Sequence, residues 1–167
     1  TVNYLNGRGS KVGVLKVRLF RPWSVKHFLQ VLPKTVKRVA VLDRCKDTAA
    51  QGEPLFLDTC ASFTNPLSEV HPMVIGGRYG LGSKDFTPGQ VLSVFENLKG
   101  EKPIASFTVG IKDDVSFHSL PILPEPDTVP SSIYQAIMWG MGSDGTVSVS
   151  KTIMKILGDY HQLNVQG

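Results

Sequence analysis

The residues of this chain best placed to do chemistry are Gly140, Gly142 and Gly145, the glycines of a G-x-G-x-x-G run between the apolar segment Gln135 to Trp139 and a helical pattern from Thr146 to Leu157. Such a loop frees the N–H groups of a first helical turn to approach a phosphate, and the helix dipole adds partial positive charge. Lys151, one to two turns further on, supplies a full charge. Two readings stay open, a site for a nucleotide-like ligand and a tight strand-to-helix turn. Against a dinucleotide, Asp144 brings a carboxylate toward the phosphates, and no acidic residue follows about 20 positions on at a second strand end. Asp144-Gly145 also borders on the thiamine diphosphate signature, Gly-Asp-Gly with a later asparagine. Ser143 stands where that signature needs glycine, and too few residues follow.

The other candidates are weaker. Gly76 to Lys84 is dense in glycine, with Arg78 and Lys84 as anion donors, although a loop that needs positive φ for packing is the better reading. Asp113-Asp114 offers a carboxylate pair for Mg²⁺, but without phosphate-binding partners it reads as a solvated turn. His118 and Ser119 are adjacent, and neighbouring side chains on an extended segment point apart, which works against a base and nucleophile pair. His27, His71 and His161 show no ligand spacing, and Trp23 and Trp139 read as core or interface anchors. Cys45 and Cys60 lack Cys-x-x-Cys spacing, and two thiolates fall short of the four ligands an iron-sulfur cluster takes. No complete catalytic set emerges.

The elements that must position these residues alternate in type. Thr1 to Gly7 reads as the end of a helix with Gly7 as its left-handed cap, and a helix end on a chain without initiator Met suggests an excised fragment. Val12, Val14, Val17 and Leu19 predict a buried strand over Lys11 to Phe20. Ser24 caps a short helix ended by Pro33, and Arg38 to Asp43 is a second strand that delivers Asp43 and Arg44 at its C-terminal end. Glu53-Pro54 opens a helix that Asn65-Pro66 breaks, and Met73 to Ile75 is a third strand leading into the glycine loop. Thr87 and Gln90 form a capping box for the next helix, which Lys99-Gly100 closes, and Ile104 to Ile111 is a fourth strand. The prolines at 121, 124, 126 and 130 predict an extended linker and a domain boundary near Pro130. Gln135 to Trp139 reads as a further strand, and Gly158 stops the last helix.

This alternation predicts an α/β fold, a three-layer Rossmann-like unit with a mostly parallel sheet and ligand groups at the strands' C-terminal ends. The 167 residues, 41% hydrophobic and 19% charged, suffice for one domain or one domain plus a fragment of the next. A net charge of +4 is dispersed: Lys34, Lys37, Arg38, Arg44 and Lys46 are interrupted by apolar residues, which speaks against nucleic acid as a partner. No apolar run approaches the roughly 18 residues of a membrane span and no secretory signal opens the chain, so a cytoplasmic location is expected, or import by a segment not included.

Five blocks carry a resemblance. KVGVLKVRLFRPWS (Lys11 to Ser24), VLDR with GEPLFLD (Val41 to Arg44, Gly52 to Asp58), VIGGRYGLGSKDFTP (Val74 to Pro88), FTVGIKDDVSFHSLP (Phe107 to Pro121) and WGMGSDGTVSVSK (Trp139 to Lys151) resemble, in order, the pyruvate:ferredoxin (flavodoxin) oxidoreductase or pyruvate synthase family. The resemblance implies an interior piece of a large homodimeric enzyme that oxidatively decarboxylates pyruvate to acetyl-CoA and CO₂. That enzyme uses thiamine diphosphate and iron-sulfur clusters, neither bound by this piece, and passes electrons to ferredoxin or flavodoxin. Residues 1–130 resemble its second domain, similar to the C-terminal domain of transketolase, and residues 131–167 the opening strand and helix of a coenzyme A-associated third domain. Gly140, Gly142, Ser143, Asp144, Gly145, Thr146 and Lys151 are carried over as coenzyme A contacts, and no catalytic residue is. Ser148, Val149 and Ser150 stand where the family usually has Gly-Ala-Asn. The piece is expected to be inactive alone, in the cytoplasm or, in a eukaryote, an organelle. The alternatives are a stand-alone nucleotide or coenzyme A module, the same domain of another 2-oxoacid oxidoreductase, and an NADP-linked fusion.

Overall fold

A computed structural model describes all 167 residues and divides them into two compact units, Thr1–Thr128 and Val129–Gly167. The first unit is an α/β Rossmann-like arrangement. Its helices are α1 (Val2–Gly7), α2 (Val25–Gln30), α3 (Pro54–Thr64) and α4 (Pro88–Lys99); its strands are β1 (Arg38–Asp43), β2 (Met73–Arg78) and β3 (Ser106–Thr108). The strands form a wholly parallel sheet in the order β1-β2-β3, with Ala40 opposite Ile75 and Gly77 opposite Phe107.

Alternation along β2 places the layers. Ile75 joins Val94 and Leu98 of α4, Phe107, Val109 and Leu120 in the core, whereas a side chain on Gly76, which faces the other way, would run into Phe56 of α3. Helices α3 and α4 therefore cover opposite faces. Gly77, on the core side, leaves room for the fully buried Phe107 ring. These glycines belong to β2 because close approach, not conformational freedom, is what the sheet needs there, so the loop expected from Gly76 begins only at Tyr79. After it, Gly80 (φ 65°) and Gly82 (φ 65°) do supply the left-handed turn around a 3₁₀ segment, Leu81–Ser83.

Charge and capping hold α4 at both ends. Thr87 Oγ1 accepts from the Gln90 N–H, while the Gln90 side-chain oxygen Oε1 is buried with no hydrogen-bond partner, so only half of the expected capping box forms. At the other end, the Arg38 guanidinium donates to the carbonyls of Leu98 and Gly100, both at 2.7 Å, where the helix dipole favours a cation. Ring packing of Phe20, Trp23, Phe28 and Phe63 joins α2 to α3, and the Trp23 indole N–H donates to Ser62 Oγ at 2.8 Å.

Several expected elements change. Lys11 to Phe20 is not a strand: β1 is a sheet edge, no strand pairs with this segment, and Val14 and Leu19 stay exposed. An apolar β-branched run has no ladder of its own and becomes a strand only when a neighbour pairs with it. Gly7 lies inside α1; the left-handed residue is Gly9 (φ 85°), with Ser10 N–H donating to Leu5 O and Gly9 N–H to Asn6 O in a Schellman pattern. The fourth predicted strand shrinks to Ser106–Thr108: Val109 N–H makes a last bond to Arg78 O at the end of β2, and Gly110 (φ 69°) then turns the chain.

The second unit contains one helix, α5 (Thr146–Asp159). Gln135 to Trp139 has no strand partner and is exposed throughout, again because nothing in the unit completes a ladder. Gly158 continues the helix instead of stopping it; the left-handed residue is Gln162 (φ 51°), after which the Leu163 N–H folds back to Leu157 O. No helix of the chain is long and apolar enough to cross a membrane.

Candidate functional site

The G-x-G-x-x-G run folds into the turn that opens α5. Its backbone enters the left-handed region at Ser143 (φ 67°) and at Gly145 (φ 85°), the helix N-cap. A side chain on Gly140 would collide with the Thr146 hydroxyl, so the first glycine lets the loop close onto the helix start. Gly142 faces open space. The carboxylate of Asp144 ties the turn together: Oδ2 accepts the Met141 N–H at 2.6 Å, and Oδ1 accepts the Thr146 N–H at 2.9 Å and the Thr146 hydroxyl. The Thr146 hydroxyl, then its N–H, hold the Asp144 carboxyl below its ordinary pKa.

This geometry answers the objection raised by an acid in a phosphate loop. Asp144 turns inward to its own N–H groups, taking those of Met141 and Thr146. The helix cannot supply partners to the N–H groups of Val147 and Ser148, the next two positions of its first turn. Lys151 lies one turn beyond both and shares their face of the helix. Val147 and Ser148, but not Lys151, border an open hollow of about 500 Å³, whose lining also includes Met138, Gly140, Asp144 and Ser150. Donors, the positive helix end and a nearby cation suit an anion.

The other candidates become structural in the first unit. Asp43 is buried at the end of β1, and its two oxygens accept the N–H groups of Leu55 and Phe56, each at 3.0 Å. It thereby caps α3 from a distance, a role that Glu53, the residue at the N-cap, does not take. Glu53 instead pairs with Arg78 at 3.4 Å, both largely buried, which removes Arg78 from any anion loop. Arg44 Nε donates to Gly80 O. No sequence signal marked Asp43 as a cap, because the helix it serves begins a dozen residues later.

Asp113 accepts from the N–H groups of Val115, Ser116 and His118, and these bonds, Ser116 foremost, hold its carboxyl below the ordinary value. Ser119 Oγ is bound into the same turn by Asp113 N–H and Ile111 O, and His118 Nδ1 contacts Ser106 O, so the two do not form a base and nucleophile pair. Cys45 and Cys60 are free thiols whose pKa burial pushes up. No group of three or more His, Cys, Asp or Glu side chains comes together to hold a metal.

Residues 1–91 match the family model described as pyruvate:ferredoxin oxidoreductase core domain II. The chain is 54% identical over 171 residues to the probable pyruvate-flavodoxin oxidoreductase of Escherichia coli, covering 99% of this chain and 14% of that protein. It is 52% identical over 166 residues to the mitochondrial pyruvate dehydrogenase [NADP(+)] of Euglena gracilis, covering 99% of this chain and 9% of that protein. Against the pyruvate:ferredoxin oxidoreductase of Moorella thermoacetica it is 50% identical over 167 residues, all of this chain and 14% of that protein. The chain thus spans about a tenth to a seventh of the length of these relatives.

Proposed function

Since this chain belongs to the pyruvate:ferredoxin oxidoreductase family, we propose that it is an interior section of an enzyme that oxidatively decarboxylates pyruvate with coenzyme A to acetyl-CoA and CO₂. The observation that carries this reading is the near-complete coverage of the chain at 50% identity or above by pyruvate oxidoreductases, together with the domain II match. Relatives named for flavodoxin, ferredoxin and NADP match about equally, which supports placing the choice of electron acceptor outside this chain.

Within that enzyme the two units differ in task. The first, with its acids and arginines engaged in capping and packing, is a positioning domain whose rigid sheet presents neighbouring domains in fixed geometry. Cys45 and Cys60 are two separate thiols whose pKa is raised, and we place the parent's iron-sulfur ligands in its other sections. Thiamine diphosphate, which supplies the carbanion nucleophile of the family, has no signature here either, so this chain adds shape and not the reacting group.

The second unit is the coenzyme A-associated part. The N–H groups of Val147 and Ser148 and the ammonium of Lys151 would hold the diphosphate, while Gly140, Gly142, Ser143, Gly145 and Thr146 shape the loop and Asp144 braces it. In the full-length enzyme, Lys151→Ala should raise KM for coenzyme A about 5- to 10-fold, the worth of a charge-assisted bond, with little change in KM for pyruvate. An unchanged KM for coenzyme A would remove this assignment, and an enzyme inactive toward pyruvate would remove the parent reading itself.

A further inference from the structure

The proline-rich passage after Leu120 is bonded to α4 by side chains that no capping rule predicts. Glu125 lies at the helix start, where Oε1 accepts the Thr87 hydroxyl at 2.5 Å and Oε2 accepts the Gly89 N–H at 2.8 Å. One turn along, Ser93 Oγ donates to Gly89 O at 3.0 Å and accepts the Leu123 N–H at 3.2 Å. Gly89 and Ser93 are buried beneath this passage, and a Cβ on Gly89 would run into the Leu123 carbonyl and the Glu125 carboxylate. Leu120 anchors the near end in the core. Proline at 121 and 124 limits the backbone freedom of the span between these fastenings.

We propose that residues 120–125 are a strap closed over the N-terminal half of α4, and that Glu125 is the positioning residue that locks it. The strap replaces a free tether with a fixed one: the chain leaves the first unit from a point set by the Glu125 carboxylate on a helix N-terminus, where the dipole favours an anion. Residues 121–124, which their prolines alone predict to be extended linker, are part of the folded domain. Gly89 is required because the Leu123 backbone occupies the space of its side chain, and backbone does not yield as a flexible side chain does.

Amide hydrogen exchange on the full chain, read residue by residue, tests this with Glu125→Gln, Glu125→Ala and Gly89→Ala. Loss of the charge-assisted bonds should speed exchange at Leu123 and Gly89 by about 10-fold or more in Glu125→Ala and by less in Glu125→Gln, while Ile75 to Arg78 in β2 stay unchanged. Gly89→Ala separates strap from helix: alanine strengthens a helix interior, so a helix-only role predicts slower exchange throughout α4, whereas the strap predicts release at Leu123. Exchange at Leu123 equal to the parent in all three variants, or acceleration spread evenly over β2 and the strap, would overturn the proposal.

Discussion

Two aspartates in this molecule do one job in different surroundings. Asp43 and Asp144 each follow an apolar run, and each accepts N–H groups at the start of the next helix, Leu55 and Phe56 of α3 in one case, Thr146 of α5 in the other. Asp43 is 7% exposed and sits between a sheet and a helix; Asp144 lies in a unit whose helix buries no residue. The bonds are alike in length and unlike in consequence. Removing a buried carboxylate leaves N–H groups that water cannot reach, whereas an exposed one is replaced by solvent. The first aspartate is therefore committed to the fold, and the second leaves its helix start open to an incoming anion.

The comparison is broken most forcefully at the core that makes the first unit rigid. Phe107→Ala empties a fully buried ring site between Gly77 and the α4 face and should cost about 3–5 kcal/mol in denaturant unfolding. Exchange protection in α5 should stay as it was, because the two units are separately compact. Next comes Asp43→Ala, which strands the Leu55 and Phe56 N–H groups and should cost about 3 kcal/mol; Asp43→Asn, which keeps one acceptor, should cost about half of that. Equal, negligible losses in both would show that solvent reaches the α3 start, and the contrast with Asp144 would fail. The smallest effect belongs to Asp144→Ala, which should leave the main unfolding transition unmoved and appear only as faster amide exchange at Met141 and Thr146.

Acid sharpens the same contrast. The folded Asp144 and Asp113 carboxyls lie below their ordinary values, so the unfolded chain takes up protons first as pH falls. Their contribution is complete above about pH 4 and is lost as pH drops through the lower folded values. Carboxyl chemical shifts followed from pH 6 to pH 2 should show both groups titrating late, with the turns around Met141 and Ser116 loosening only then. Loosening between pH 6 and 5 would contradict the hydrogen bonds assigned to them.

Local rules were legible wherever a residue acts on its immediate neighbours. Ser24 and Thr87 accept from the N–H groups three residues on, Pro54 and Pro88 stand in the first turns of their helices, and Arg38–Asp43 spans the strand that its apolar run predicted. Local rules also slipped by a residue or two at Gly7 and Gly158, but the larger failures depended on a partner distant in the chain. Lys11 to Phe20 and Gln135 to Trp139 have strand composition without a strand to pair with, and Gly76-Gly77 look like a loop until Phe56 and Phe107 are seen pressing on them. At the candidate site the loop and its glycines were legible, but the direction of the Asp144 carboxylate was not. Its choice between a ligand and its own backbone depends on the Ser143 and Gly145 conformations.

Taken alone, the sequence determined the family, the α/β alternation and the helix starts at Ser24 and Thr87, because those rest on ordered motifs and on contacts within a few residues. Only the tertiary structure decided which charged groups are committed to the fold and which stay open. Asp43, Arg38, Arg78 and Glu125 find their partners 12 to 62 positions away, Asp43 nearest at Leu55 and Arg38 farthest at Gly100. No spacing rule spans that distance, since the sheet and its packed helices bring such residues together only after the chain has folded.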